Sequence, residues 1–395
     1  MCKDAKALLL VSTLFTFAMG LSNIFVNVFF WKQTKDFKII VIYNMMHYIV
    51  IPLIFILGGI IAKRKNGIWP LRFGLLAYAI FFAVILLVGG KGEIFIYILG
   101  IIHGIGSGFY WLAFNTLCFD FTDTTNRDTF NGFNGSCAGI AAAAAPITSA
   151  YIISLFEDMT GYRIVFAVTL TIFIVLILIS LTLRCKNYAG KINFKKAFLS
   201  NCDEWRIVRK STVFWGVRDV IIVFLVNILI IETTKSELSL GQLTLVASLL
   251  SSISYVVVQK VIKPPDRRLS IAIGTIGSFV AVLGLALRVE YITLLLYVVI
   301  DALFVPFFMI QLTSSTYNVI NRAHDEEMRI EYMINRDLML NGGRIVSAGI
   351  LLILLNISAE PSILQGYLLF IGLGPVISGY FLGKLKKVLL GESNQ

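Results

Sequence analysis

The stretch IVFAVTLTIFIVLILISLTL, Ile164–Leu183, decides how the chain is read. It runs for 20 residues without a charge, and about 20 apolar residues are what an α-helix needs to cross a hydrocarbon core. A membrane β-barrel would instead alternate apolar and polar positions in segments of about ten residues, and that alternation is absent. Comparable apolar windows recur outward from this one. They lie near 7–31, 38–62, 68–89, 93–119, 129–156 and 161–184, then near 211–232, 238–261, 269–288, 290–320, 333–357 and 362–384. The expected fold class is an all-α integral membrane protein with twelve transmembrane helices. The chain is 57% hydrophobic and 14% charged, against roughly 25% charged in soluble globular domains, so it lacks the polar surface a soluble fold of this size needs.

The net charge of +11 has a topological reading. With the N-terminus placed inside, the inner loops hold about 25 Lys and Arg and the outer loops 7. Basic residues collect on the cytoplasmic side, which puts both termini in the cytoplasm and makes nucleic acid an unneeded partner. The first helix, Ala7 to Phe30, is too long for a signal peptide's apolar region and is read as retained. Cys2, Cys118, Cys137, Cys185 and Cys202 form no CxxC pair, so neither a disulfide framework nor a zinc site is expected.

The two halves repeat each other at an offset of about 200. Val26-Asn27-Val28 followed by Thr34-Lys35 matches Val226-Asn227-Ile228 followed by Thr234-Lys235. Glu93 and Glu290 open the fourth and tenth helices, and Arg127-Asp128 with Asn131-Gly132 matches Arg336-Asp337 with Asn341-Gly342. The expected domains are a six-helix bundle over 1–184, a basic cytoplasmic linker over 185–210 and a second bundle over 211–395. Parallel repeats of this kind place a substrate site between the halves near the bilayer midplane.

This arrangement resembles the major facilitator superfamily (MFS) over nearly the whole chain, and is similar to a little-characterised bacterial branch of it. The Gly-led basic motif between the second and third helices reads Gly59-Ile60-Ile61-Ala62-Lys63-Arg64-Lys65, with Lys63 where the family has an acid. In the fifth helix, Gly139, a run of alanines and Ala145-Pro146 stand where proton-exchanging exporters carry a Gly-Pro stretch. The resemblance implies two pseudo-symmetric bundles, a cavity lined by helices 1, 4, 7 and 10, and alternating access.

Charges inside hydrocarbon cost several kcal/mol unless paired or hydrated, so each marks a candidate. Asp301 lies eleven residues past Glu290, about 16 Å along a helix, and Pro306 one turn on is expected to open the backbone. Such a carboxylate could take a proton or a cationic solute, or serve as the static partner of an Arg. His103 sits at nearly the same depth on the fourth helix and titrates in a range suited to proton exchange. Arg218 and Asp219 are adjacent on the seventh helix. They project about 100° apart, and are expected to reach different neighbours. Asn23, Asn27 and Asn227 could bind a polar solute or tie helices together. Tyr110, Trp111 and Asn115 on the fourth helix, with Gln311 on the tenth, could line a cavity or pack. Arg64, Asp120, Arg127, Asp128, Arg336, Asp337 and Arg344 are expected to form a cytoplasmic gate.

The expected function is a secondary active transporter of a small solute, with proton-coupled efflux by antiport as the finer expectation. It would act as a monomer in the cell membrane's lipid bilayer. A lipid or lipid-linked sugar flippase shares the fold. A non-transporting membrane scaffold or sensor is the alternative from another class. No metal, cofactor or enzymatic activity is expected: the sequence has no HExxH, GxSxG or Walker loop.

Overall fold

The computed structural model describes residues 2–89, 92–122, 127–185, 190–195, 202–220, 224–322, 328–357 and 361–390. Among them every regular element is helical. The first half comprises α1 (Lys3–Thr34), α2 (Phe37–Arg64), α3 (Ile68–Val88), α4 (Gly92–Asp120), α5 (Arg127–Ser154) and α6 (Thr160–Thr182). The second comprises α7 (Asp203–Val220), α8 (Val226–Thr234), α9 (Glu237–Val261), α10 (Arg267–Leu287), α11 (Tyr291–Arg322), α12 (Arg329–Ile357), α13 (Pro361–Leu382) and the short α14 (Lys386–Leu390). Eleven of these are long and apolar enough to span a membrane. The twelfth expected span is α7 and α8 together, described as two pieces on either side of 221–223, with a π-helical turn at Phe224–Leu225.

The repeat reaches the backbone. Lys35 and Lys235 end α1 and α8 in the left-handed conformation, at φ 53° and 55°, and their N–H groups return 2.8 Å to the carbonyls of Trp31 and Ile231. Left-handed residues close helices by satisfying such orphan carbonyls. Glycine is the usual choice there, so finding lysine at both places is informative. At the other end, Lys6 and Arg206 donate backbone bonds to Cys2 and Cys202. The seventh helix thus starts at Asp203, as the first starts at Lys3, ahead of the apolar window near 211–232. Its opening turns are polar (Asp203, Glu204, Arg206, Arg209, Lys210), which hid them from an apolar window.

The chain divides into two compact units, one of residues 1–192 with 236–245, the other of 193–235 with 246–395. In the first, α4 packs on α2 and α3, and α1 on α5 and α6. A glycine stripe makes the α2–α4 seam. A Cβ on Gly100 would lie 2.6 Å from the Tyr43 carbonyl, on Gly104 2.8 Å from Val50, and on Gly108 2.7 Å from Ile54. Small residues repeated every four positions let helix backbones approach where lipid supplies no hydrophobic drive. In the second unit α10 packs on α11 and α13, and α7 on α12 and α13. Trp205, Trp215, Phe308, Tyr332 and Leu389 share its core.

Candidate functional site

The second unit collects charges inside its bundle. Where α7 crosses α12 the backbones nearly touch: a Cβ on Gly216 would overlap the Leu340 carbonyl, and one on Gly343 the Val213 carbonyl. That crossing sets the residues just beyond it side by side. Arg344 donates from Nε to Asp219 at 2.9 Å and from Nη1 to Asn341 at 3.1 Å. Asn341 in turn donates to the Asp337 carboxylate at 3.0 Å. Arg218 turns the other way, onto α11, and pairs with Asp301. The Ser278 hydroxyl of α10 donates to the same carboxylate oxygen at 3.2 Å. The adjacent Arg218 and Asp219 therefore serve different helices.

Arg218 is fully buried, while the Asp301 side chain keeps 15% of its exposure. The guanidinium lies 4.9 Å from the Trp215 ring centre. Its Nε and Nη1 have no hydrogen-bond acceptor among the described residues. A buried ion pair repays its desolvation only with good geometry, and removing one partner leaves a costly lone charge. The pairing of Asp301 with Arg218 thus offsets the burial of both side chains. Of the alternatives the sequence left open for Asp301, pairing with an Arg is the arrangement present. Pro306, expected to open the backbone, lies within a continuous α11. Pro52, Pro146 and Pro375 are likewise inside helices.

The first unit's polar cluster is neutral by composition. Tyr43 and His103 share a hydrogen bond of 2.7 Å, His47 and Ser107 one of 2.9 Å, and Tyr78 and Ser107 one of 2.7 Å. The two imidazoles stack with centres 4.0 Å apart. Sequence reading missed His47, Tyr43, Tyr78 and Ser107. The available signal was spacing: Tyr43/His47 and His103/Ser107 are both i, i+4 pairs, which share a helix face. Nearby, Asn44 donates to Asn27 at 2.8 Å, and Asn27 to the Asn23 carbonyl at 3.3 Å. These amides tie α1 to α2.

The two clusters occupy matching places. Gly74 of α3 lies against the backbones of Gly106 and Tyr110; Gly274 of α10 lies against those of Phe304 and Phe308. That register offsets α4 from α11 by 198, and at the same offset His103 corresponds to Asp301.

A family profile described as "Major Facilitator Superfamily" matches residues 8–348. The chain belongs to the Major Facilitator Superfamily. As a member it is a multi-pass membrane transporter of the secondary type, not an enzyme. YqgE of Bacillus subtilis (strain 168), named only as an uncharacterised protein, is 35% identical over 388 residues, covering 97% of this chain and 90% of its own. An uncharacterised protein in the sodM 3' region of Geobacillus stearothermophilus is 42% identical over 164 residues, covering 42% of this chain and 77% of its own. Among solved structures, the nucleoside transporter NupG superposes with TM-score 0.73 at 13% identity, covering 96% of this chain and 99% of that one. The peptide transporter POT superposes with TM-score 0.72 at 12% identity, covering 99% and 96%. At such identities the superfamily fold is what is shared.

The remaining sequence candidates scatter. Tyr110 is buried, stacked on Phe15 of α1, whereas Trp111 is 47% exposed. Gln311 is buried, and Asn23, Asn115 and Asn227 are half-buried. The expected gate divides. Arg64 is exposed at the end of α2, and Asp120, at the end of α4, accepts from the Cys185 thiol at 3.6 Å. The side chains of Arg127 and Asp128 fall outside the described residues, as does that of Glu93. Arg336, Asp337 and Arg344 do not sit in a turn: α12 begins at Arg329 and carries them within its helix. By rise per residue Arg344 is about 22 Å from that start. It belongs with Asp219 in the buried network and not with a surface latch. A further cluster lies in the first unit, where Glu237 pairs with Lys32 and accepts from the Tyr162 hydroxyl at 2.7 Å.

Proposed function

We propose that this superfamily member couples proton movement to transport of a small solute bearing an anionic or strongly accepting group, with Asp301 as proton carrier and Arg218 as solute anchor. The observation that carries this reading is the Arg218–Asp301 pair: a fully buried guanidinium with two nitrogens lacking acceptors among the described residues, beside a carboxylate that keeps some exposure. With Asp301 ionised, the two charges satisfy each other and the empty site buries no lone charge. When Asp301 takes a proton, Arg218 loses its counter-charge and its N–H fork turns to the solute. Guanidinium binds carboxylate or phosphate bidentately, which suits that role. Proton and solute then travel together by alternating access.

This departs from the export expected from the Ala145-Pro146 stretch of α5. Export requires solute and proton to compete, whereas an Arg released by protonation binds both at once, so an inward proton gradient drives uptake. The protein works as a monomer in the cell membrane with both termini in the cytoplasm.

The test is a proteoliposome assay with a trapped pH dye and a panel of small carboxylates and phosphate esters. At least one solute should carry protons into the lumen with wild-type protein and fail to do so with Asp301→Asn. Solute entry that moves no protons, or proton movement that survives Asp301→Asn, contradicts the reading.

A further inference from the structure

An open groove of about 500 Å³ runs along the second unit between α10 and α13, near their junction with α14. Its walls are apolar: Ile271, Ala272, Ile276 and Val376. Its floor is closed where the helices touch, since a Cβ on Gly379 would lie 2.7 Å from the Thr275 methyl. One end carries three cations, Arg268, Lys384 and Lys386, all exposed, and none of the residues lining the groove is acidic.

The cations are held in place. Arg268 donates to the Gly383 carbonyl at 2.9 Å, fixing its guanidinium at the groove's end. The Lys384 ammonium lies 4.3 Å from the centre of the Tyr380 ring, itself a wall of the groove and 64% exposed. Arg267 donates to the Leu389 carbonyl at 3.0 Å, and Val388 and Leu389 sit in the unit's core. This anchors α14, and with it Lys386.

An apolar trough whose described lining is cationic at one end and holds no acid matches a molecule with an acyl tail and an anionic head. We propose that this groove binds an anionic phospholipid from the leaflet at the chain's C-terminal end. The acyl chain lies against Ile271, Ile276 and Val376, and the phosphate is held by Arg268, Lys384 and Lys386. A free phosphate would use the cations but leave the trough empty, and a zwitterionic lipid would fill the trough but gain little from the cations. Each basic residue near an anionic headgroup is worth about five-fold in affinity.

The test is thermal unfolding of the detergent-purified full chain, titrated with phosphatidylglycerol, phosphatidylcholine or inorganic phosphate. Phosphatidylglycerol should stabilise at about ten-fold or more lower concentration than phosphatidylcholine, and phosphate alone should not stabilise. The variant Lys384→Gln/Lys386→Gln alters only exposed side chains and should lose most of that preference. As a second check, Ile276→Trp fills the trough while leaving the cations, and should weaken phosphatidylglycerol as well. Equal stabilisation by both lipids overturns the proposal, as does a preference unchanged in both variants. Stabilisation by phosphate matching that by phosphatidylglycerol assigns the cations to a free anion and also overturns it.

Discussion

The two halves of this transporter share a repeat but spend it differently. On α4, Gly100, Gly104 and Gly108 press the helix onto α2, and 61% of its most apolar window is buried. At the 198 offset the second half has Val298, Ala302 and Pro306 in their place, and the corresponding window of α11 is only 22% buried. Where the first half places His103 in a hydrogen bond to Tyr43, the second places Asp301 in an ion pair with Arg218. One half is tightly seamed around a neutral polar cluster. The other carries ionisable pairs on a less buried helix.

The largest test of that contrast is Arg218→Ala. Leaving Asp301 without its partner should cost about 3–5 kcal/mol, read as a marked drop in thermal stability. The double variant Arg218→Gln/Asp301→Asn should recover much of the loss, because no lone charge remains. A single variant as stable as the double would break the comparison at its strongest point.

A smaller effect sharpens the packing side. Gly104→Ala adds one methyl against Val50 and the His47 carbonyl, and overpacking costs about 1–3 kcal/mol. The opposite change in the second half, Ala302→Gly, should cost about 1 kcal/mol through helix propensity alone and draw no neighbour closer. If Gly104→Ala proves neutral in thermal unfolding, the seam is looser than its geometry indicates.

The smallest effect is expected at Glu237. The Glu237 side chain keeps 11% of its exposure but that of Lys32 keeps 34%, and an ion pair with one partner this open to water contributes about 1 kcal/mol. Glu237→Gln should therefore shift stability little, and the shift should shrink further in high salt. A loss comparable to that of Arg218→Ala would mean that buried charge is not special to the second half's interior.

The membrane-spanning architecture was legible because bilayer thickness imposes a length on apolar sequence, as in Ile164–Leu183. The start of the seventh helix was hidden for a related reason: Asp203–Lys210 is helical but polar, and an apolar window cannot see it. The Cys2/Cys202 match, at the same 200 offset as Lys35/Lys235, would have located its start. Asp301 and Arg218 stood out individually as charges in apolar helices. Their pairing did not, because it depends on the Gly216–Gly343 crossing and on how α7 and α11 meet, which no local pattern encodes. Arg344 was assigned to a surface turn because Arg336-Asp337 nearby suggested a loop, when the helix had already begun at Arg329. The histidine cluster was missed because His47 stands in a largely apolar helix, and only its stacking on His103 gives it meaning.

The claim on which the rest depends is that Asp301 takes up a proton as Arg218 is released. Infrared difference spectroscopy of the reconstituted protein, on addition of a transported solute, reads this directly. A carboxylic-acid carbonyl band should appear in wild type and be absent in Asp301→Asn. A spectrum with no such band, or one that persists in Asp301→Asn, would contradict it.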